Sequence, residues 1–345
     1  MPLISFDDIF GQPRAVEFLR AAATADRLPH ALVFAGPVGV GKATTALALA
    51  AWFLCQKPLP ARACGKCESC RALAAGIHPD FHLVMREQIR QHDKSGKSKG
   101  TQLAIEVIRG ELVAPASRTA VLGRGKFFVV EQAELATAQA QNAMLKTLEE
   151  PAGRSVIVLL TDSPEFLLPT ILSRCQMVRF GSLPIDLVKK RLHERGIETA
   201  VAAEAAELSD GSLGGAMRLI SEGILPAARA LHEQLNTLLV GRVPADLPGW
   251  FKQAADDYAE KELIRDPLGS KEFATRGGLT TYLSLAARFF RRQLYESSDA
   301  TRWDQACRAI DAIARWQMYM DANVNVPVAL GQLGAAWAGQ FAAAT

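Results

Sequence analysis

Ala31-Leu32-Val33-Phe34-Ala35 is an unbroken apolar run that stops at Gly36, the pattern of a short buried strand. Gly36, Gly39 and Gly41 follow, and apolar residues then resume from Thr44 to Leu54 over the length of a helix. Two further buried strands are predicted at Phe127–Val130 and Val156–Leu160. Between them Glu134–Glu149 reads as a helix, closed by Pro151. Strands and helices alternating in this way predict an α/β fold, a parallel sheet covered on both faces.

The pattern changes along the rest of the chain. Residues Arg86–Gly100 are polar and rich in Lys, Ser and Gly, which predicts a solvated loop. Leu183-Pro184 marks a boundary near residue 182, and beyond it the patterning is helical with no convincing strand. Gly211–Gly215 and Gly223–Pro226 interrupt the helices. The division expected is therefore a P-loop domain over 1–182, a small helical domain over 183–223 and a helical domain over 224–345. Pro248–Gly278 is too loosely patterned to assign.

Composition narrows the class. A chain of 345 residues with 49% hydrophobic and 22% charged residues has material for two or three globular domains. Its net charge of +3 does not by itself demand a nucleic-acid surface. Met1–Phe10 carries Asp7 and Asp8 and lacks the layout of a secretory leader. The longest apolar run, Ala46–Cys55, is too short to cross a bilayer. A cytoplasmic location is expected.

Gly36-Pro37-Val38-Gly39-Val40-Gly41-Lys42 matches the P-loop pattern through its lysine. Glycines let backbone N–H groups turn toward phosphate oxygens at a helix N-terminus, and Lys42 would add a point charge. A chance glycine-rich turn is the rival reading, disfavoured by the strand before it and the helix after. Hydrolysis is another matter. Ala43 stands where a hydroxyl normally meets Mg²⁺, and Thr44 is rotated about 100° around the helix. After the Phe127–Val130 strand the positions of a metal-binding and a water-activating carboxylate hold Glu131 and Gln132, and Gln132 cannot act as a base. ATP or ADP binding is left open, while turnover is expected to be absent or very slow.

Cys55, Cys64, Cys67 and Cys70 are spaced C-x8-C-x2-C-x2-C. Four thiolates fill a tetrahedral shell, so the expectation is a structural zinc without an open catalytic position. An iron–sulfur cluster and a redox-active Cys-x-x-Cys pair are the rivals. His78 and His82 are read as ordinary loop histidines beside a shell that is already full.

Several segments resemble the clamp-loader AAA+ family of bacterial DNA polymerase III. Phe6-Asp7-Asp8-Ile9-Phe10-Gly11-Gln12 is similar to its N-terminal adenine-side segment, and Asn142–Pro151 (NAMLKTLEEP) to its NALLKTLEEP helix. Pro169–Cys175 resembles its Ser-Arg-Cys segment, and Asn323–Pro327 with Leu330 more weakly resembles the end of its collar domain. The resemblance implies a RecA-like AAA+ domain, a small helical lid and an all-α collar that oligomerises. It implies that Arg174 is an arginine finger acting in trans on ATP held by a neighbouring gamma/tau subunit, and that Thr161 lies at the sensor-1 position. The implied assembly is a hetero-pentamer with gamma/tau and delta subunits, serving the sliding clamp and primer-template DNA in the replisome at the nucleoid.

Departures from the family pattern refine this. Active members have Lys followed by Ser or Thr, an Asp-Glu pair and a lid arginine in Gly-Ser-x-Arg; here those positions hold Ala43, Glu131-Gln132 and Gly214. Arg218 lies one helical turn on and would compensate in part at most; an exposed lid arginine is the expectation. The expectation is a non-hydrolysing stator within the DNA polymerase complex. Its rivals are a gamma/tau-type ATPase that still turns over, and a small-molecule P-loop kinase with a zinc lid.

Overall fold

The computed structural model describes residues 3–92, 102–122, 124–265, 270–297, 299–321 and 324–341. Chain contacts divide it into two compact units, Met1–Leu187 and Val188–Thr345.

The first unit is built on five parallel strands, β1 (Ala31–Ala35), β2 (Phe81–Val84), β3 (Lys126–Val130), β4 (Ser155–Thr161) and β5 (Gln176–Arg179), in the order β2-β3-β4-β1-β5. The three expected strands are its interior, and β2 and β5 are edges the hydropathy pattern did not reveal. Every residue of β1, β3 and β4 is buried because each face is covered. Leu32, Phe34, Phe127, Val129, Val156 and Val158 pack on the side of helices α1 (Pro13–Thr24) and α2 (Lys42–Leu54). Val33, Phe128, Val130, Ile157 and Leu159 pack on the other, with Met144 and Leu148 of the helix Ala138–Glu149.

The expected helix from Glu134 starts late. Gln132 adopts a left-handed conformation (φ 48°) and Ala133–Leu135 is a 3-10 turn, so the α-helix begins at Ala138 behind a Thr137 cap. The segment expected to be a solvated loop is ordered at its start: Arg86–Gln88 is a 3-10 turn and Ile89–His92 a helical turn seated on buried Ile89. Residues 93–100 of that segment lie outside the described residues.

The second unit is helical throughout its described residues. Its longest elements are Leu225–Leu239, Leu247–Arg265, Lys271–Glu296, Ala300–Asp321 and Val326–Phe341. Phe290 stands at the centre of its core, 5.3 Å from Trp337 and 5.7 Å from Phe341 between ring centroids. Of the weak collar match, Leu330 is buried in the last helix, and Asn323 lies outside the described residues. No helix among the described residues is long and apolar enough to cross a membrane.

Candidate nucleotide cradle, arginine turn and cysteine knuckle

β1 runs directly into the glycine loop and the loop into α2, the geometry of a P-loop. Gly36, Gly39 and Gly41 all have positive φ (154°, 75° and 106°). Gly36 is the most constrained of them, because a Cβ there would collide with the carbonyl of Phe180 at the end of β5. The Gly36 N–H donates to the Thr161 carbonyl (3.1 Å), which seats the loop on the C-terminal end of β4. From the other side Gln12 clamps it, its Nε2 donating to Val40 O (3.2 Å) and Gly181 O (2.7 Å).

Lys42 begins α2 and turns back on the loop. Its ammonium donates to the carbonyls of Gly36 and Pro37, the latter at 2.8 Å. Burial pulls its pKa down, opposed by Asp162 and then Glu134. Ala43 is exposed and Thr44 half-buried on the first turn. The buried hydroxyl is that of Thr45, bonded to Gly41 O at 2.8 Å. Thr161 is buried at the end of β4, beside Ala35 in register, and so lies next to the glycine loop. Gln132 is exposed, and burial raises the pKa of Glu131, with Glu87 adding to it.

Sequence reasoning missed Glu134. The 3-10 turn after β3 brings its carboxyl against Asp162 and Thr161, and burial followed by Asp162 pushes its pKa up to about 7. Its Oε2 is closed off from solvent without a hydrogen-bond donor. A carboxyl whose folded pKa exceeds its unfolded value contributes stability that is complete at low pH and fades as pH rises through the folded value. Glu134→Gln should therefore raise the melting temperature at pH 8, by an amount worth about 1 kcal/mol after discounting for partial exposure. At pH 5 it should change little, and thermal scans at the two pH values check the difference.

Arg174 follows the single helical turn Pro169–Leu172 and is exposed. Gln141, buried in the Ala138–Glu149 helix, holds that turn. Its Oε1 accepts from Leu168 N (2.7 Å) while its Nε2 donates to Ala136 O (3.0 Å) and Phe166 O (3.1 Å). Arg174 itself pairs with Glu149 at the end of the same helix and donates to Thr170 O (3.1 Å). Gln141 is thus the positioning residue of the arginine turn, hidden in the sequence by its place on an apolar helix face.

In the helical unit Arg218 is exposed, as expected, and is held along its own helix. Its Nε donates to Glu222 (2.7 Å), and it also bonds Tyr258 of the Leu247–Arg265 helix.

The cysteines lie at the far end of α2, about 20 Å along its axis from the cradle. The Sγ atoms of Cys55, Cys64, Cys67 and Cys70 all lie within 4.8 Å of one another, with 3.9 Å for Cys55–Cys67 and for Cys64–Cys70. A tetrahedral tetrathiolate with metal–sulfur bonds of about 2.3 Å has edges of about 3.8 Å, so these residues fit one metal ion. Backbone N–H groups of Lys66 and Cys67 bring Cys64 down to about 6, which favours the thiolate a metal needs. Against the expectation of ordinary loop histidines, His78 is buried behind the knuckle. Its Nε2 meets Ser69 Oγ (2.9 Å), its Nδ1 accepts from Asp80 N (3.0 Å), and Ser69 donates to Leu54 O (2.7 Å). His82 stacks on Phe128 at 4.7 Å.

Comparison with known proteins agrees with this arrangement. Residues 11–184 match the family model described as DNA polymerase III, delta subunit. The chain is 34% identical over 220 residues to DNA polymerase III subunit delta' of Pseudomonas aeruginosa, covering 63% of each protein. It is 35% identical over 208 residues to the Bacillus subtilis protein of the same name, covering 57% of this chain and 59% of that one. Against DNA polymerase III subunit tau of Salmonella typhimurium it is 28% identical over 248 residues, 70% of this chain and 36% of the relative. The matches thus span about three fifths of the length of the delta' relatives. With half of its length matched by the family model and 34–35% identity to the delta' proteins, the chain belongs to the DNA polymerase III delta-subunit family, among its delta-prime members.

Proposed function

We propose that the chain is a non-hydrolysing stator of a DNA polymerase III clamp loader and that Arg174 is an arginine finger for ATP held by a neighbouring gamma/tau-type subunit. The observation that carries the reading is a contrast within one unit. Arg174 is presented to solvent on a turn anchored by buried Gln141, while the chain's own hydrolytic positions hold Ala43 and Gln132. A guanidinium brought to a developing γ-phosphate charge stabilises the transition state without any nucleotide of its own.

The same reading gives the remaining residues their tasks. Gly36, Gly39, Gly41, Lys42, Thr44 and Thr161 form a cradle of nucleotide-binding descent that loading does not use. Cys55, Cys64, Cys67 and Cys70 hold a structural zinc. The helical region divides into a lid over 183–223 and a collar over 224–345 that assembles with gamma/tau and delta subunits into a hetero-pentamer. Gly211 (φ 76°) and Gly223 (φ 65°) at helix ends support these breaks. The assembly serves the sliding clamp and primer-template DNA in the cytoplasm, at the nucleoid.

ATP turnover by the purified chain tests the stator reading against a gamma/tau-type ATPase. No turnover above a buffer blank is expected, and substantial turnover would overturn it. Lys42→Ala in a reconstituted loader should leave clamp loading within about twofold of wild type, because an unused cradle lysine adds no differential binding to the transition state. A loss approaching that of a catalytic P-loop lysine would show the cradle in use.

A further inference from the structure

We propose that Arg124 is the positioning residue of the Cys55 ligand and the counter-cation of the metal-loaded knuckle. Of the four cysteines, Cys55 has the least favourable station for a thiolate. It is the C-cap of α2, where unpaired carbonyls and the negative end of the helix dipole gather. Cys67 stands at the opposite kind of end, capping the helix Glu68–Ala74 and accepting the Cys70 N–H (3.4 Å). A divalent ion inside a shell of four thiolates leaves negative charge over, and at Cys55 that charge meets the helix end least suited to it. A cation placed there offsets both.

Arg124 supplies it. Its Nη1 donates to the Cys55 carbonyl (2.9 Å), and covalent geometry then keeps the Cys55 Sγ within about 7 Å of that nitrogen. With Ser69 on the Leu54 carbonyl, the last two carbonyls at this end of α2 are both tied. The loop carrying Arg124 is itself held, because Asp80 binds Val121 N and Leu122 N. Gly125 then passes so close to α2 that a Cβ would press on the Phe53 ring (3.1 Å) and collide with the Arg154 carbonyl. The neighbouring cation is already engaged: Arg154 pairs with Asp26 (2.9 Å) and lies over the Phe53 ring (5.0 Å). Arg124 forms no carboxylate ion pair among the described residues, so its charge is left for the knuckle. Nothing in the cysteine spacing points to it, since it arrives from the loop before β3.

The inference rests on the knuckle holding a metal ion. Zinc affinity of the full chain is measured at neutral pH by competition with a chromogenic chelator, for wild type, Arg124→Ala, Arg124→Lys and Arg154→Ala. A bond that served only the fold would stabilise the metal-free and zinc-loaded chain alike and leave this affinity unchanged. Arg124→Ala should bind zinc about 10–100-fold less tightly, the usual cost of losing a residue that holds a metal ligand from behind. Arg124→Lys keeps the charge but loses the fork, and should recover part of that loss. Arg154→Ala removes the neighbouring cation, which does not hold a ligand, and should stay within about twofold of wild type. Wild-type affinity in Arg124→Ala overturns the proposal, and so does an equal loss in Arg154→Ala. If Arg124→Ala does not fold, Arg124→Lys decides: weaker binding than wild type upholds the proposal and equal binding overturns it. Metal analysis of wild type separates the two readings. A chain that binds no zinc ends the metal assignment itself, whereas zinc bound equally by wild type and Arg124→Ala ends only the role of Arg124.

Discussion

Arg174→Ala should fold and assemble as wild type does, yet slow ATP hydrolysis at the neighbouring site it serves on the order of a thousandfold. Stability should change little because its ion pair with Glu149 is at the surface, and exposed pairs contribute about 0–1 kcal/mol. The measurement is single-turnover hydrolysis by a reconstituted loader in the presence of clamp and primed DNA. Two companions separate a finger from a structural arginine. Arg174→Lys keeps the charge but loses the planar fork, so it should recover only a small part of the rate. Glu149→Gln frees the guanidinium and should leave the rate unchanged or faster, whereas a structural role would make it resemble Arg174→Ala. Unchanged hydrolysis in Arg174→Ala would end the finger assignment. A Gln141→Ala loader should fall between, because the turn then loses its anchors at Leu168 and Phe166 while the guanidinium remains.

What the sequence revealed and what it concealed follow the strength of the local signal. β1, β3 and β4 are buried on both faces and therefore read as continuous apolar runs. β5 is Gln-Met-Val-Arg with only Val178 buried, and β2 is short and only partly covered; neither pattern separates a strand from a loop. Pro248–Gly278 resisted assignment because its apolar positions follow no clear period. In the fold Gly278 sits inside the Lys271–Glu296 helix, where a Cβ would press on Tyr258 at 3.0 Å. Close packing of two helices, not a turn, requires a small residue there.

The site shows the same division. The P-loop, the four cysteines and Arg174 were legible because each carries a spacing or segment pattern of its own. Glu134, Gln141 and His78 were not, since each acts through a partner distant in sequence or through burial. Glu134 lay within what read as a helix, and only the left-handed Gln132 and the 3-10 turn aim it at Thr161 and Asp162. Arg218 is exposed, as the sequence suggested, and its bonds to Glu222 and Tyr258 could not be read from spacing.

The largest effect on stability is expected from the knuckle. Purified chain should contain about one zinc, and Cys67→Ser should lose it and lower the melting temperature by about 10 °C. Structural zinc binding, about 10–16 kcal/mol, is as large as a domain's net stability of about 5–15 kcal/mol, so even a fraction transmitted to the fold is large. A transmission route exists: Ser69 ties the knuckle to the end of α2 at Leu54 O, His78 ties Ser69 to Asp80, and the Asp80 carbonyl accepts from Phe127 N at 2.8 Å. The Asp80 carboxylate also holds Val121 N (2.7 Å) and Leu122 N (2.8 Å), so the loop leading to β3 hangs on the same residue. His78→Ala should keep the zinc, whose four thiolates are untouched, but lose part of the melting temperature by breaking this route. Metal analysis distinguishes the rival contents. Iron with visible absorbance would indicate a cluster, and absence of metal with two oxidised thiols a redox pair. Either result would overturn the zinc assignment, whereas one zinc per chain lost together with stability in Cys67→Ser would uphold it.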